Sequence, residues 1–153
     1  MTKRFTATKN NVFHLFATLG PIGYLPYAPG TYGSAIACIF LYFFPSIFAY
    51  PLFILIFVIV SLIVLNNLAL EGKDPGYVII DEVAGMFVAM AGHGITFLSL
   101  LSGFILFRFF DIIKPYPIRR VEALRKGYGI LGDDIVAGAF ANLLLLFGGM
   151  ILP

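Results

Sequence analysis

Hydrophobic residues run through this chain in long blocks, and the charged positions fall between them. The 10 basic and 8 acidic residues all lie in three segments, Lys3–Lys9, Glu71–Glu82 and Arg108–Asp134. Three charge-free stretches follow these segments: Asn10–Leu70 with 61 residues, Val83–Phe107 with 25 and Ile135–Pro153 with 19. A helix needs about 20 apolar residues to cross about 30 Å of hydrocarbon. The first stretch is too long for one span. Pro45 and Pro51 bracket a turn within it, which predicts helices near Ser34–Phe44 and Leu52–Leu70. Leu52–Leu65 is apolar on every face, as a lipid-facing helix is. Ile135–Leu152 reads as one terminal span.

The middle stretch has the length of a single span, but Gly92-His93-Gly94 is a break signal at its centre. A split there predicts helices near Tyr77–Ala91 and Ile95–Ile113, roughly 22 and 28 Å long. The first of these crosses a bilayer only incompletely. Charge placement favours the split. Lys and Arg prefer the cytoplasmic side. With two helices, all three charged segments share one face, and both hairpin tips carry no Lys or Arg. With one helix, the six basic residues of Arg108–Lys126 would face outward. The expected architecture is therefore all-α. It is a multi-pass helical membrane bundle with short or broken helices, a cytoplasmic-face active site and a single domain over residues 1–153.

Composition agrees with this reading. The apolar fraction is 60% and charged residues make up 12%, against about 25% charged in an ordinary soluble domain. A net charge of +2 is too small to argue for nucleic acid. The single cysteine, Cys38, excludes an intrachain disulfide framework and sits in an apolar run as a buried thiol. The basic start Met1-Thr2-Lys3-Arg4 has no small-residue cleavage site after it, so no secretory signal is expected. No protein partner is evident.

Seven of the eight carboxylates lie at or near the ends of the apolar segments: Glu71, Asp74, Asp81, Glu82, Asp111, Asp133 and Asp134. Ionisable groups at membrane depth are costly and mark function. Glu71 and Asp74 also fit loop solvation or a helix start. Either Asp133 or Asp134 could cap the last helix, since Gly132-Asp133 precedes an apolar run, but a cap does not explain two adjacent acids. Asp81-Glu82 opens a helix near the headgroups. Arg108, Asp111 and Lys114 are spaced by three and share one helix face. An Arg108–Asp111 ion pair accounts for two of them, and a phosphate dianion would add a third member.

Carboxylates gathered on one membrane face suit a hard divalent cation, and magnesium prefers oxygen ligands. His14 and His93 stand far from the acids and Cys38 has no partner, which argues against zinc. His93 is read as a hairpin-tip residue. Arg108, Lys114, Arg119, Arg120, Arg125 and Lys126 could hold a phosphate bridged to the metal. The last four equally fit anionic lipid headgroups. In Pro29-Gly30-Thr31-Tyr32-Gly33-Ser34, Thr31 or Ser34 could cap a helix and present donors to phosphate.

Several phosphate chemistries are excluded. Ile39-Phe40-Leu41 follows Cys38 where a cysteine phosphatase needs an Arg-terminated loop. No Asp-x-Asp and no Gly-x-x-x-x-Gly-Lys occurs. The two histidines are misplaced for a histidine-based lipid phosphatase.

Four segments together resemble the phosphatidylglycerophosphatase A family. They are Pro29–Ser34, Lys73-Asp74-Pro75 with Ile80–Gly85, Phe107–Ile118 and Gly129–Gly138. The likeness runs in order from about Phe13 to the end of the chain. One departure is Gly20-Pro21-Ile22-Gly23, where the family tends to have a Gly-x-Gly-Ser-Gly-like stretch.

The resemblance implies a bacterial inner-membrane enzyme with an all-helical fold. It would use Mg2+ to remove the terminal phosphate of phosphatidylglycerophosphate, giving phosphatidylglycerol. In that reading Glu82, Asp111 and Asp134 lead the metal ligands, with Asp81 and Asp133 next. Asp81 would orient water, and Arg108 and Lys114 would neutralise phosphoryl charge. A covalent aspartyl-phosphate stays open. Two rival classes are a phospholipid headgroup transferase and an ion-conducting transporter. The first lacks its usual Asp-Gly-x-x-Ala-Arg pattern here, and the second would need charges deeper in the spans.

Overall fold

A computed structural model describes residues 9–68 and 75–151. Glu71 and Asp74 lie outside the described residues. The described chain is all-helical: α1 (Lys9–Ala17), a 3-10 turn (Ile22–Tyr24), α2 (Pro29–Phe43), α3 (Pro45–Phe48), α4 (Pro51–Asn67), α5 (Ile80–Ala89), α6 (Phe97–Ile113), α7 (Ile118–Glu122) and α8 (Gly127–Ile151).

Local chemistry sets most of these boundaries. Pro29, Pro45 and Pro51 each stand at the first position of a helix, where a missing N–H costs nothing. The predicted break at Gly92–Gly94 is present, and Gly92 takes a left-handed φ of +79° that a side chain would strain. Thr96 then opens α6 with a reciprocal cap. Its Oγ1 accepts from the Ser99 N–H at 3.1 Å, while Ser99 Oγ accepts from the Thr96 N–H at 2.9 Å. At the other end Lys114 turns left-handed, donating its N–H to the Phe110 carbonyl, and Pro115 prevents continuation.

Two expected helix starts are corrected. The second helix begins at Pro29 and not near Ser34. Ala28 is its N-cap and makes no side-chain capping bond. Thr31 and Ser34 are inside the helix, and Ser34 Oγ donates to the Gly30 carbonyl at 2.9 Å. The last helix begins at Gly127, eight residues earlier than expected. Asp133 and Asp134 are thus internal and cap nothing. The glycines of Gly127–Gly132 have low helix propensity, yet the segment is helical. A Cβ on Gly127 would meet Leu65 at 2.7 Å, and one on Gly132 would meet Val121 at 2.6 Å. Close approach of neighbours here outweighs the low helix propensity of glycine.

Helix α5 is the centre of the fold. Ile80, Asp81, Val83, Ala84, Gly85, Met86, Phe87 and Ala89 are all buried. Phe48, Phe53 and Phe57 ring Phe87 with centroid distances of 5.1–5.9 Å. Asn142 of α8 donates to the carbonyls of Val88, Ala89 and Ala91, at and just past the end of α5. His93, at the expected hairpin tip, places Nε2 3.2 Å from the Asn142 carbonyl.

The outer surface is apolar. Leu52, Leu55, Ile56, Ile59 and Ile63 of α4 and Leu143, Leu146 and Phe147 of α8 are exposed. Among the described helices, α8 is long and apolar enough over Gly127–Gly149 to cross a membrane. Helices α2 and α4 are apolar but shorter, roughly 22 and 26 Å long.

Candidate active site

Two glycines bring the acids together. Gly85 lies four residues after Asp81 on α5, and Gly138 lies four residues after Asp134 on α8. Each glycine therefore shares a helix face with its acid. A Cβ on Gly138 would collide with the Gly85 carbonyl, and one on Gly85 would meet Asp134 O at 2.8 Å and Phe107 at 2.6–2.7 Å. Without side chains at these positions the two helices cross in near backbone contact. That crossing brings Asp81 and Glu82, in the first turn of α5, against Asp134 of α8.

One carboxylate oxygen from each of Asp81, Glu82 and Asp134 lies within 4.8 Å of the others. Asp81 and Asp134 are 2% and 3% exposed, so their mutual repulsion is poorly screened by water. Asp81 Oδ1 is buried without a hydrogen-bond partner among the described residues. Such an oxygen calls for a cation or an ordered water. The donor set is all oxygen, and two opposite ligands of a magnesium ion bound at 2.0–2.1 Å are about 4.2 Å apart. Three carboxylate oxygens within 4.8 Å of one another suit such an ion, so the residues fit the group.

Of the five expected ligands, Asp81, Glu82 and Asp134 form the tightest group. Asp111 pairs with Arg108, with Nη1 to Oδ2 at 2.6 Å and side chains 16% and 13% exposed. It remains near enough to Asp134 to act on its charge, so it borders the triad. Asp111 lies one turn after Arg108 on α6 and pairs with it, while Asp81 meets Glu82 and Asp134.

Asp133 is also outside the triad. Its Oδ2 contacts Lys114 Nζ, which additionally donates to Glu122 Oε1 at 3.0 Å. Burial opposes the Lys114 charge, but hydrogen bonds to Asp133 and Glu122 outweigh it and hold the ammonium above the ordinary lysine range. Lys114 therefore ties α6, α7 and α8 together. Arg119, Arg120 and Arg125 are exposed around α7, and Lys126 is exposed after it. The Arg120 guanidinium sits 5.4 Å above the Tyr116 ring.

Helix α2 closes one side. A Cβ on Gly30 would strike the Glu82 carboxylate and come within 3.2 Å of Arg108 Nη1. Thr31 is half-buried one residue further on, while Ser34 is fully buried with its proton committed to Gly30. The reading of acids and bases alone missed Gly30, Gly85, Gly138 and Glu122. A signal for two of them was present: each acidic pair has a glycine one turn downstream.

Fold and site together define a class: an apolar-surfaced protein, all-helical over the described residues, built around a largely buried carboxylate triad beside an arginine. A sequence profile of the family described as Phosphatidylglycerophosphatase A matches residues 15–148. The chain belongs to this family. It is 34% identical over 142 residues to a Haemophilus influenzae protein named "Phosphatidylglycerophosphatase A", covering 88% of this chain and 87% of the relative. It is 32% identical over 146 residues to an Escherichia coli protein of the same name, covering 92% and 85%. A Bacteroides thetaiotaomicron protein named "Putative phosphatidylinositol-3-phosphatase" is 32% identical over 136 residues, covering 80% and 84%. No solved structure matches the chain.

Proposed function

We propose that the chain is a magnesium-dependent lipid phosphatase. It hydrolyses the terminal phosphomonoester of phosphatidylglycerophosphate to phosphatidylglycerol and phosphate during phospholipid biosynthesis. It acts as a multi-pass bundle in the bacterial inner membrane with its site at the cytoplasmic face. The observation that carries this reading is the convergence of Asp81, Glu82 and Asp134 within 4.8 Å of one another, beside the Arg108–Asp111 pair. Family membership supports the substrate. The apolar exposed surface and the α8 span support the bilayer. The exposed basic residues around α7 follow closely on Lys114 and Asp111, and basic residues favour the cytoplasmic side.

Glu82, Asp134 and Asp81 would hold the ion. When bound, magnesium supplies Lewis-acid polarisation of phosphoryl oxygens and a lowered pKa for water. Asp81, through its unpartnered Oδ1, accepts the proton of the attacking water. The water oxygen bonds to phosphorus as the bond to the glycerol oxygen breaks; that oxygen takes a proton from solvent, and Asp81 returns its proton to solvent. Arg108 spreads positive charge over the equatorial oxygens, and Asp111 lies 2.6 Å from its Nη1 as the paired anion. Lys114 is engaged by Asp133 and Glu122, so its role is to hold the helices that carry the acids. Gly30, lacking a side chain, lets the Glu82 carboxylate and Arg108 pack against α2.

The test is phosphate release by purified protein in mixed micelles, with magnesium or with chelator. The substrates are phosphatidylglycerophosphate and phosphatidylinositol 3-phosphate. Magnesium-dependent release from the first, faster than from the second, is expected. Equal release in chelator would remove the metal. Preference for the inositol lipid would reassign the substrate. Consumption of a nucleotide-linked donor, or ion flux without hydrolysis, would move the protein to a transferase or transporter class.

A further inference from the structure

Helices α2 and α6 carry site residues at one end and an apolar groove along the rest of their length. Gly30 of α2 and Arg108 of α6 meet beside Glu82. Away from that point, Ala35, Cys38 and Phe43 of α2 face Phe97, Leu101 and Phe104 of α6 across a groove of about 360 Å³. The helices run in opposite directions, so the groove starts about one turn from the site on both of them. Its lining offers no charge, and its polar groups are the Cys38 thiol and the Tyr42 hydroxyl. A polar ligand would lose its hydrogen bonds there, whereas hydrocarbon loses nothing.

We infer that this groove is the acyl-chain subsite of the enzyme. One fatty tail of the lipid substrate lies between α2 and α6 while the phosphorylated headgroup reaches Glu82 and Arg108. The inference rests on the lipid phosphatase reading and extends it to the non-reacting part of the substrate. Continuity with the site favours this occupant over a second copy of the chain, because both walls of the groove are the helices that present Gly30 and Arg108. Depth agrees as well. Measured along α2 from Gly30, the groove runs from roughly 7 Å at Ala35 to roughly 20 Å at Phe43. One leaflet of hydrocarbon is about 15 Å deep. Phe43, Phe97 and Leu101 are 68%, 73% and 43% exposed at its rim, so the groove opens sideways and a lipid could enter from the leaflet. Remote binding of a tail would also orient the phosphoryl group for attack.

Two measurements test the subsite. In the first, A35F and C38F narrow the groove. Each variant is assayed with long-chain phosphatidylglycerophosphate and with a water-soluble short-chain analogue bearing the same headgroup. Roughly a tenfold rise in KM for the long-chain lipid, with the short-chain reaction within about twofold of wild type, is expected. Equal losses on both substrates, or no change on either, would overturn the subsite. So would a changed oligomeric state in detergent without chain-length selectivity.

In the second, wild-type protein is photolabelled with phosphatidylglycerophosphate carrying a diazirine in one acyl chain, which does not depend on any variant folding. Labels concentrated on α2 and α6 support the groove, and labels spread equally onto Leu55 and Ile59 of α4 sink it. A wild type inactive on both lipids would instead refute the phosphatase reading. Activity on both lipids with dispersed labels refutes the groove alone.

Discussion

Gly138 lies so close to the carbonyl of Gly85 that no Cβ fits between α8 and α5 at their crossing. The acids one turn upstream on each helix, Asp134 and Asp81, converge because of that contact. Side chains at the crossing would move the helices apart and separate the acids. The carboxylate site is thus a consequence of two missing side chains.

Alanine at Gly138 or Gly85 should therefore act on both stability and chemistry. Overpacking of this kind costs typically about 1–3 kcal/mol. Thermal unfolding in detergent should report the loss, and phosphate release should fall with it. Gly148, on the same helix, has nothing within 4 Å of a built Cβ. G148A should be neutral or stabilising by up to about 1 kcal/mol, as helix propensity dictates. Equal effects at positions 138 and 148 would contradict the crossing argument.

The amide variants D81N, E82Q and D134N should each lower magnesium-dependent turnover by about 10²-fold or more, on the scale of losing one preorganised electrostatic group. Metal-free D81N and D134N should be at least as thermostable as metal-free wild type, because one of three crowded negative charges is removed. Magnesium should raise the melting temperature of wild type and raise it less in the variants. A metal-free destabilisation in D81N would point to a purely structural role.

Arg108 should not be replaceable by lysine. The guanidinium holds Asp111 at 2.6 Å and keeps further donors for a phosphate, and an ammonium lacks that fork. R108K should lose about 10-fold or more in kcat with a smaller change in stability. R108A should also destabilise, since Asp111 is left without its partner. A double-mutant cycle with D111N should show coupling between the two sites. Additive effects would separate them.

Lys114 gives a prediction about pH. Its partners hold the ammonium above the ordinary lysine range despite burial. A raised folded-state pKa means that the stabilisation is complete below the unfolded value, about 10.4. It is lost only as pH climbs through the folded-state value. The stability gap between wild type and K114M should therefore be flat from about pH 6 to pH 9. Its size should be about 1–2 kcal/mol after allowing for solvent around the partly exposed lysine. Glu122 is 48% exposed, so E122Q should change stability by under about 1 kcal/mol. Urea or thermal melts across that pH range would check both.

Much of the fold was legible in the order of apolar blocks, prolines and glycines. The split at Gly92–Gly94, the opening of a helix at Asp81-Glu82 and the Arg108–Asp111 pair all follow from local rules, and all are present. The start of the last helix was not legible, because Gly127, Gly129 and Gly132 act as breakers in isolation and as close-packing sites once Leu65, Leu124 and Val121 are beside them. The cap assigned to Thr31 or Ser34 failed for a similar reason. Pro29 starts that helix earlier, and Ser34 turns inward onto Gly30.

The sequence by itself determined that the surface is apolar, that the acids and bases are few and gathered, and that the chain is helical. Those properties depend on residue type and on spacing within one helix. It also determined the family, through four motifs in order. Only the tertiary structure decided which carboxylates meet. Asp111 and Asp133 pair with Arg108 and Lys114, while Asp81 and Asp134 meet beside the glycine crossing. Partner choice among like charges depends on distances between helices, and those distances are set by packing at Gly85 and Gly138.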